Sequence, residues 1–171
     1  MVADMSLAAP SGCMYALEAG GELRGLEAGY ITPNGMAFSP DGRTMYVSDS
    51  HPKRQTVWAF DYDLETGTPH DRRVFIDFKP LPGRPDGAAV DADGGYWICG
   101  NDAGLVHRFT PDGQLAAGNH RGDVIVLRPG SEERVVREKA HTGEVHAVAV
   151  APDGKSFASG GADGQILLWP L

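Results

Sequence analysis

Residues 34–42, Asn34-Gly35-Met36-Ala37-Phe38-Ser39-Pro40-Asp41-Gly42, lead into Met45-Tyr46-Val47. Residues 86–94, Asp86-Gly87-Ala88-Ala89-Val90-Asp91-Ala92-Asp93-Gly94, lead into Tyr96-Trp97-Ile98 in the same way. Each copy has a polar residue and Gly, a short apolar run, an Asp-Gly turn and a second apolar run. Asn34 and Asp86 share one repeat position. A third copy starts at Val145-His146-Ala147-Val148, turns at Asp153-Gly154 and continues into Phe157-Ala158-Ser159. Runs of four to six β-branched, aromatic or Ala residues closed by Asp-Gly read as antiparallel strand pairs. A third strand follows each pair, at Thr56 to Tyr62, Leu105 to Phe109 and Ile166 to Trp169. A fourth is placed at Arg73 to Phe78.

Four-stranded units recurring every 40–50 residues or so are the period of a β-propeller. The fold class expected is therefore all-β, a propeller of four-stranded antiparallel blades, with about three and a half to four blades per chain. Two further hairpins flank the repeats. One is Cys13 to Leu17 with Glu22 to Leu26; the other is Asp123 to Leu127 with Arg134 to Arg137. Between the second repeat and the second hairpin, Leu115 to Asn119 is a small-residue seam where the pattern falters.

Composition narrows the partners. The 171 residues suffice for a core, and 42% hydrophobic with 22% charged describes a globular chain. The 23 glycines and 12 prolines sit at regular turn positions, which suggests many short strands instead of disorder. A net charge of −8, with no cluster of Lys and Arg, argues against nucleic acid and anionic membranes as partners. Met1 to Pro10 has neither a cationic run nor a long apolar core, so no signal peptide or membrane span is expected, and the location expected is cytoplasmic. Cys13 and Cys99 have no metal-like or redox spacing; free thiols are the first reading and a disulfide the second.

Little in the residues alone demands chemistry. Asn and Asp both favour turns, so Asn34-Gly35 and Asp86-Gly87 read first as strand starts. Asp41, Asp93, Asp112 and Asp153 each precede Gly and read as turn residues. No histidine pair has metal spacing, no Ser has a placeable His, and Arg121-Gly122-Asp123 is a coincidental tripeptide. Gly87 is expected to need positive φ or a close approach, and so to resist Ala.

Residues 13–115 resemble the senescence-marker/regucalcin/gluconolactonase family. The resemblance is carried by Thr32-Pro33-Asn34-Gly35 through Asp41-Gly42, Tyr46-Val47-Ser48-Asp49-Ser50, Trp58-Ala59-Phe60-Asp61-Tyr62-Asp63 and Arg84-Pro85-Asp86-Gly87-Ala88. It implies a propeller that holds a divalent metal on its axis and hydrolyses sugar lactones, with some relatives acting on organophosphates. On it, Asn34 would be a metal ligand, and Asp86 both a ligand and the general base. Calcium is the first choice of metal, with zinc or magnesium as alternatives, and a sugar lactone is the ligand expected. The family's Glu ligand and further Asn ligand have no counterpart in the matching stretch.

Residues 120–171 resemble a WD-repeat blade, through His141-Thr142-Gly143-Glu144-Val145, Ser156 to Gly164 and Ile166-Leu167-Leu168-Trp169. That resemblance implies a buried hydrogen-bond chain of His141, Ser159, Asp163 and Trp169. Pro170 stands where the family has Asp, and Ala140 where it has Gly. The organisation expected is a flexible tail over 1–12, lactonase-like blades over 13–115 and WD-like strands over 116–171. Such a chain reads as a recombined or designed mosaic, or as a natural fusion. Its function is expected to be a partial lactonase site with weak or absent catalysis, an active metal-dependent lactonase, or a protein-interaction scaffold. A homodimer through exchanged or edge strands is expected, because unpaired edges are templates for a second chain.

Overall fold

The computed structural model describes residues 9–113, 115–118, 121–127, 134–137, 139–151 and 155–170. Among them every regular element is a strand, and every strand pairing is antiparallel. Among the described residues, no helix is long and apolar enough to cross a membrane. The chain divides into two compact units, Met1–Leu105 and Val106–Leu171.

The first unit opens with a hairpin of β1 (Gly12–Leu17) and β2 (Leu23–Tyr30). A four-stranded meander follows: β3 (Pro33–Phe38), β4 (Thr44–Asp49), β5 (Thr56–Asp63) and β6 (Thr68–Asp77). This is one complete blade; its first three strands lie where the sequence places them, and its fourth starts at Thr68 instead of Arg73. A second blade starts with β7 (Arg84–Val90) paired to β8 (Tyr96–Asn101). β8 alternates buried Tyr96, Ile98 and Gly100 with exposed Trp97, Cys99 and Asn101, the period of a strand. The interior strand β4 is buried from Met45 through Asp49. Met45, Val47 and Phe60 pack with Met14 and Tyr30 of the hairpin into one apolar cluster.

The second unit takes up β9 (Leu105–Phe109), β10 (Leu115–Gly118), β11 (Val124–Leu127) and β12 (Arg134–Arg137), each paired to the next. The small-residue seam is thus a strand. Leu115 and Ala116 pair with Phe109 and Arg108 on one side, and Leu115–Gly118 pair with β11 on the other. Small side chains weaken the apolar pattern without preventing the ladder. A three-stranded sheet closes the unit: β13 (Val145–Val150), β14 (Ser156–Gly161) and β15 (Ile166–Pro170). Phe157 stacks on Trp169 and packs with Val124, Val145 and Val148.

The Asp-Gly turns behave as turns. Asp41 Oδ1 accepts from Ser39 Oγ at 2.6 Å and from Arg43 N at 3.0 Å, and Gly42 closes the turn at φ 71°. Gly94 and Gly113 adopt φ 83° and 84° at the corresponding places. Asp153 lies outside the described residues. Cys13 and Cys99 are free thiols.

Candidate functional site

The repeated strands β3 and β7 share an irregularity at the residue that opens each repeat. Asn34 pairs with Ser48 and Ala37 with Tyr46, so β3 carries one residue more than β4 over that interval. Pro85 pairs with Gly100 and Ala88 with Ile98, which gives β7 the same extra residue. A bulge turns the side chain out of the strand's alternation and sharpens the local twist. Here the two bulges bring together residues 52 apart in the chain: Asn34 Nδ2 donates to Asp86 Oδ1 at 2.5 Å. Asn34 Oδ1 accepts from Gly35 N at 3.0 Å. Both side chains are half-buried, so solvent still reaches them. The structure therefore gathers one amide and one carboxylate at one point.

The surroundings fix that point. Gly35 is buried at φ 55°, and a Cβ there would lie 2.7 Å from Ser48 Oγ, 2.8 Å from the Tyr96 hydroxyl and 2.9 Å from the Asp86 carbonyl. Gly87, the matching glycine of β7, has no such demand: its φ is ordinary and a Cβ would meet open space. The expectation that Gly87 resists substitution is overturned, and Gly35 is the constrained glycine. The Tyr96 ring sits 4.9 Å from Tyr46 and 5.9 Å from Phe75, and its hydroxyl donates to the Gly35 carbonyl at 2.7 Å. Burial, with Tyr46 adding to it, pushes the Tyr96 phenol well up, so it stays a donor. Ser48 Oγ and Thr32 Oγ1 are buried without a protein partner. Of these, Ser48 Oγ lies against Gly35, next to the pair.

Asp49 is a residue that sequence reasoning passed over. It is fully buried, and its carboxylate accepts from Ile31 N at 2.8 Å, Thr32 N at 3.0 Å and His51 N at 3.0 Å. Arg54 Nη1 lies 3.7 Å away. Its role is to hold the segment entering β3, immediately before Asn34.

A further cluster sets a single histidine among metal-type ligands. Register pairs Asp61 with His70 across β5 and β6, and Asp61, His70 and Asp71 offer ligand atoms within 4.8 Å of one another. The cluster is engaged by its own partners: Arg73 Nη1 donates to Asp61 Oδ1 at 2.7 Å, and His70 Nδ1 lies 2.9 Å from Asp71 Oδ2.

In the second unit the four WD-type residues form one chain. Trp169 Nε1 donates to Ser159 Oγ at 2.9 Å, Ser159 Oγ lies 2.8 Å from His141 Nε2, and His141 Nδ1 lies 3.0 Å from Asp163 Oδ1. Thr142 N and Gln165 N also donate to the Asp163 carboxylate. Burial works to raise the Asp163 carboxyl, but the bonds from His141, Gln165 and Thr142 outweigh it and bring it to about 2. Gly122 of the Arg-Gly-Asp tripeptide is buried against His141, whose N–H donates to the Gly122 carbonyl at 3.1 Å. The tripeptide is a structural turn. β13 carries its own extra residue, His146, between Val145 and Ala147, at the repeat position that Asn34 and Asp86 occupy next to or within their own bulges.

The family model described as "WD domain, G-beta repeat" matches residues 132–170. Pentonolactonase XacC of Haloferax volcanii is 33% identical over 102 residues, which is 60% of this chain and 34% of that protein. Regucalcin of Xenopus laevis is 37% identical over 79 residues, 46% of this chain and 26% of that protein. A solved gluconolactonase structure from Xanthomonas campestris superposes with a TM-score of 0.52 at 29% identity, covering 99% of this chain and 47% of that one. The chain thus spans about a quarter to a third of the curated proteins' length and about half of the solved one. The family model described as "SMP-30/Gluconolactonase/LRE-like region" matches residues 2–119, the stretch that holds both bulges, and the chain belongs to that family.

Proposed function

We propose that this chain carries part of the cation site of a sugar-lactone hydrolase, set in a mosaic of lactonase-like and WD-like segments of recombined or designed origin. The observation that carries the reading is the convergence of Asn34 and Asp86 through matched bulges in β3 and β7. An amide oxygen and a carboxylate are hard donors, and they fit calcium first, with magnesium or zinc as alternatives. A divalent cation bound there would polarise a lactone carbonyl and acidify a water. Asp86 would hold that cation and would serve as the general base for a water. Asn34 has a second duty. Its N–H now occupies Asp86 Oδ1, so loading requires the amide to release that oxygen and present its own.

Two side-chain donors fall well short of the six to eight or so that calcium takes, so affinity is low and catalysis weak or absent. The sugar-lactone class rests on the names of the Haloferax and Xanthomonas proteins. Calorimetric titration with calcium and zinc chloride, alongside glucono-lactone hydrolysis, tests the reading on wild type, Asp86→Ala and Asn34→Ala. Weak binding that both substitutions abolish supports it; a folded wild type silent in both assays overturns it.

A second reading, a WD-type interaction scaffold, is favoured by the chain from Trp169 to Asp163. We also propose that two chains associate through edge strands. β15 is bonded to β14 on one side, and Ile166 and Leu168 are 78% and 80% exposed. A dimer would double the Asn34 and Asp86 donors. A monodisperse monomer in light scattering at micromolar concentration sinks the association.

A further inference from the structure

The Asn34–Asp86 pair is gripped from both sides by hydroxyls of the opposite sheet. Ser50 follows β4, the strand neighbour of β3, yet its Oγ donates to the Pro85 carbonyl, one peptide before Asp86. Tyr96 opens β8, the strand neighbour of β7, yet its hydroxyl donates to the Gly35 carbonyl, one peptide after Asn34. Each blade's second strand thus reaches across to the other blade's first strand. One contact lands on the peptide that enters Asp86, the other on the peptide that leaves Gly35, the residue after Asn34. Both hydroxyl-bearing residues are buried, Ser50 at 7% and Tyr96 at 0% exposure, so water does not compete for the bonds. Ser50 N also donates to the Thr32 carbonyl at 2.9 Å, which holds the approach to Asn34 from the same residue.

The need for such a clasp follows from the bulges. A bulged residue leaves the regular ladder, and its backbone loses the hydrogen bonds that would fix it. The side chains that line up at a bulge are therefore only as well placed as whatever replaces the ladder. We propose that Ser50 and Tyr96 are positioning residues that set the register between the two bulges and so hold Asn34 against Asp86. That they thereby serve a cation rests on the proposed function; that they set the pairing does not.

The test uses the full chain and three variants: Ser50→Ala, Tyr96→Phe and, as a control, Ser159→Ala, which deletes a buried hydroxyl of the other unit. The first measurement is the side-chain amide resonance of Asn34 in cation-free protein, assigned by its loss in Asn34→Ala. Ser50→Ala and Tyr96→Phe are each expected to move it toward the position of an unbonded amide and to speed its exchange with solvent. Ser159→Ala leaves it in place even though it lowers the melting temperature. The second measurement is calcium affinity, expected to weaken by about tenfold in either clasp variant, the scale of one hydrogen bond, and to be unchanged in Ser159→Ala. An amide resonance unmoved in both clasp variants overturns the inference. An unchanged calcium affinity in both, with the amide moved, overturns the clasp's service to a cation and leaves its hold on the pairing. If wild type binds no calcium while the amide still responds, the cation reading fails and the clasp stands. Should Ser50→Ala not fold, Tyr96→Phe decides alone, since it removes one oxygen and keeps the packed ring.

Discussion

Tyr96 and Gly35 lie 61 residues apart in the chain, and the buried phenol of one donates to the backbone carbonyl of the other at 2.7 Å. That contact leaves no space for a side chain on Gly35, whose φ of 55° already excludes most residues. Gly35→Ala is expected to cost about 1–3 kcal/mol from the left-handed backbone alone, and more from crowding against Ser48 and Tyr96. Gly87→Ala, in open space with ordinary φ, should be neutral or stabilising by up to about 1 kcal/mol. Denaturant midpoints of the two variants check the contrast; equal losses would show that the two bulges carry the same strain.

Ser159 bridges Trp169 and His141, accepting from the indole at 2.9 Å and meeting the imidazole at 2.8 Å. Ser159→Ala leaves a half-buried indole N–H and a buried imidazole nitrogen without this partner. The expected loss is about 1–3 kcal/mol in equilibrium unfolding. A midpoint identical to wild type would mean that the chain from Trp169 to Asp163 adds nothing to stability.

Asp163 gives that chain an acid limit. Its folded-state value is lowered from 3.8 to about 2, so the folded state holds the carboxylate more firmly than the unfolded chain does. The stabilisation is fully present above 3.8 and is lost as pH falls toward 2. Melting temperatures followed over that window should drop for wild type and drop less for Asp163→Asn, which has no proton to take up. Parallel curves for the two proteins would remove Asp163 as the source of the acid sensitivity.

The Asp-Gly turns made both register and repeat legible in the sequence. Counting back from Asp41 and Asp93 puts Asn34 and Asp86 at one position, and the structure brings them into contact. The same count from Asp153 reaches His146, whose bulge position went unread because His does not resemble a strand-starting residue. Gly35 and Gly87 look alike in sequence. Only the structure separates them, since strain is set by what crosses from the neighbouring blade. The pairing of Asp61 with His70 was hidden for a different reason. It depends on a slip between Ala59 and Asp61, near an Asp71 held at φ 50°, which no residue pattern announces.

Asp49 was the least legible residue, because its partners are backbone N–H groups that carry no side-chain signature. Its two oxygens serve Ile31, Thr32 and His51 together, with Arg54 beside them. Asp49→Ala strips all three donors of their acceptor in a fully buried position. The expected loss is about 3 kcal/mol or more, because each buried donor left unsatisfied costs about 1–3 kcal/mol. Asp49→Asn is expected to be nearly as damaging despite its matching shape. Whichever way the amide turns, its NH2 group faces either Ile31 N–H with Arg54, or the N–H groups of Thr32 and His51. Asp49→Glu keeps both oxygens but pushes them a methylene further into a packed strand end, so it restores little. Since Ile31 and Thr32 lead directly into Asn34, hydrogen exchange at Ile31, Thr32 and His51 should speed up in all three variants before the rest of the first blade responds. Protection at those three amides that survives Asp49→Ala would show that this carboxylate does not hold the entry to β3.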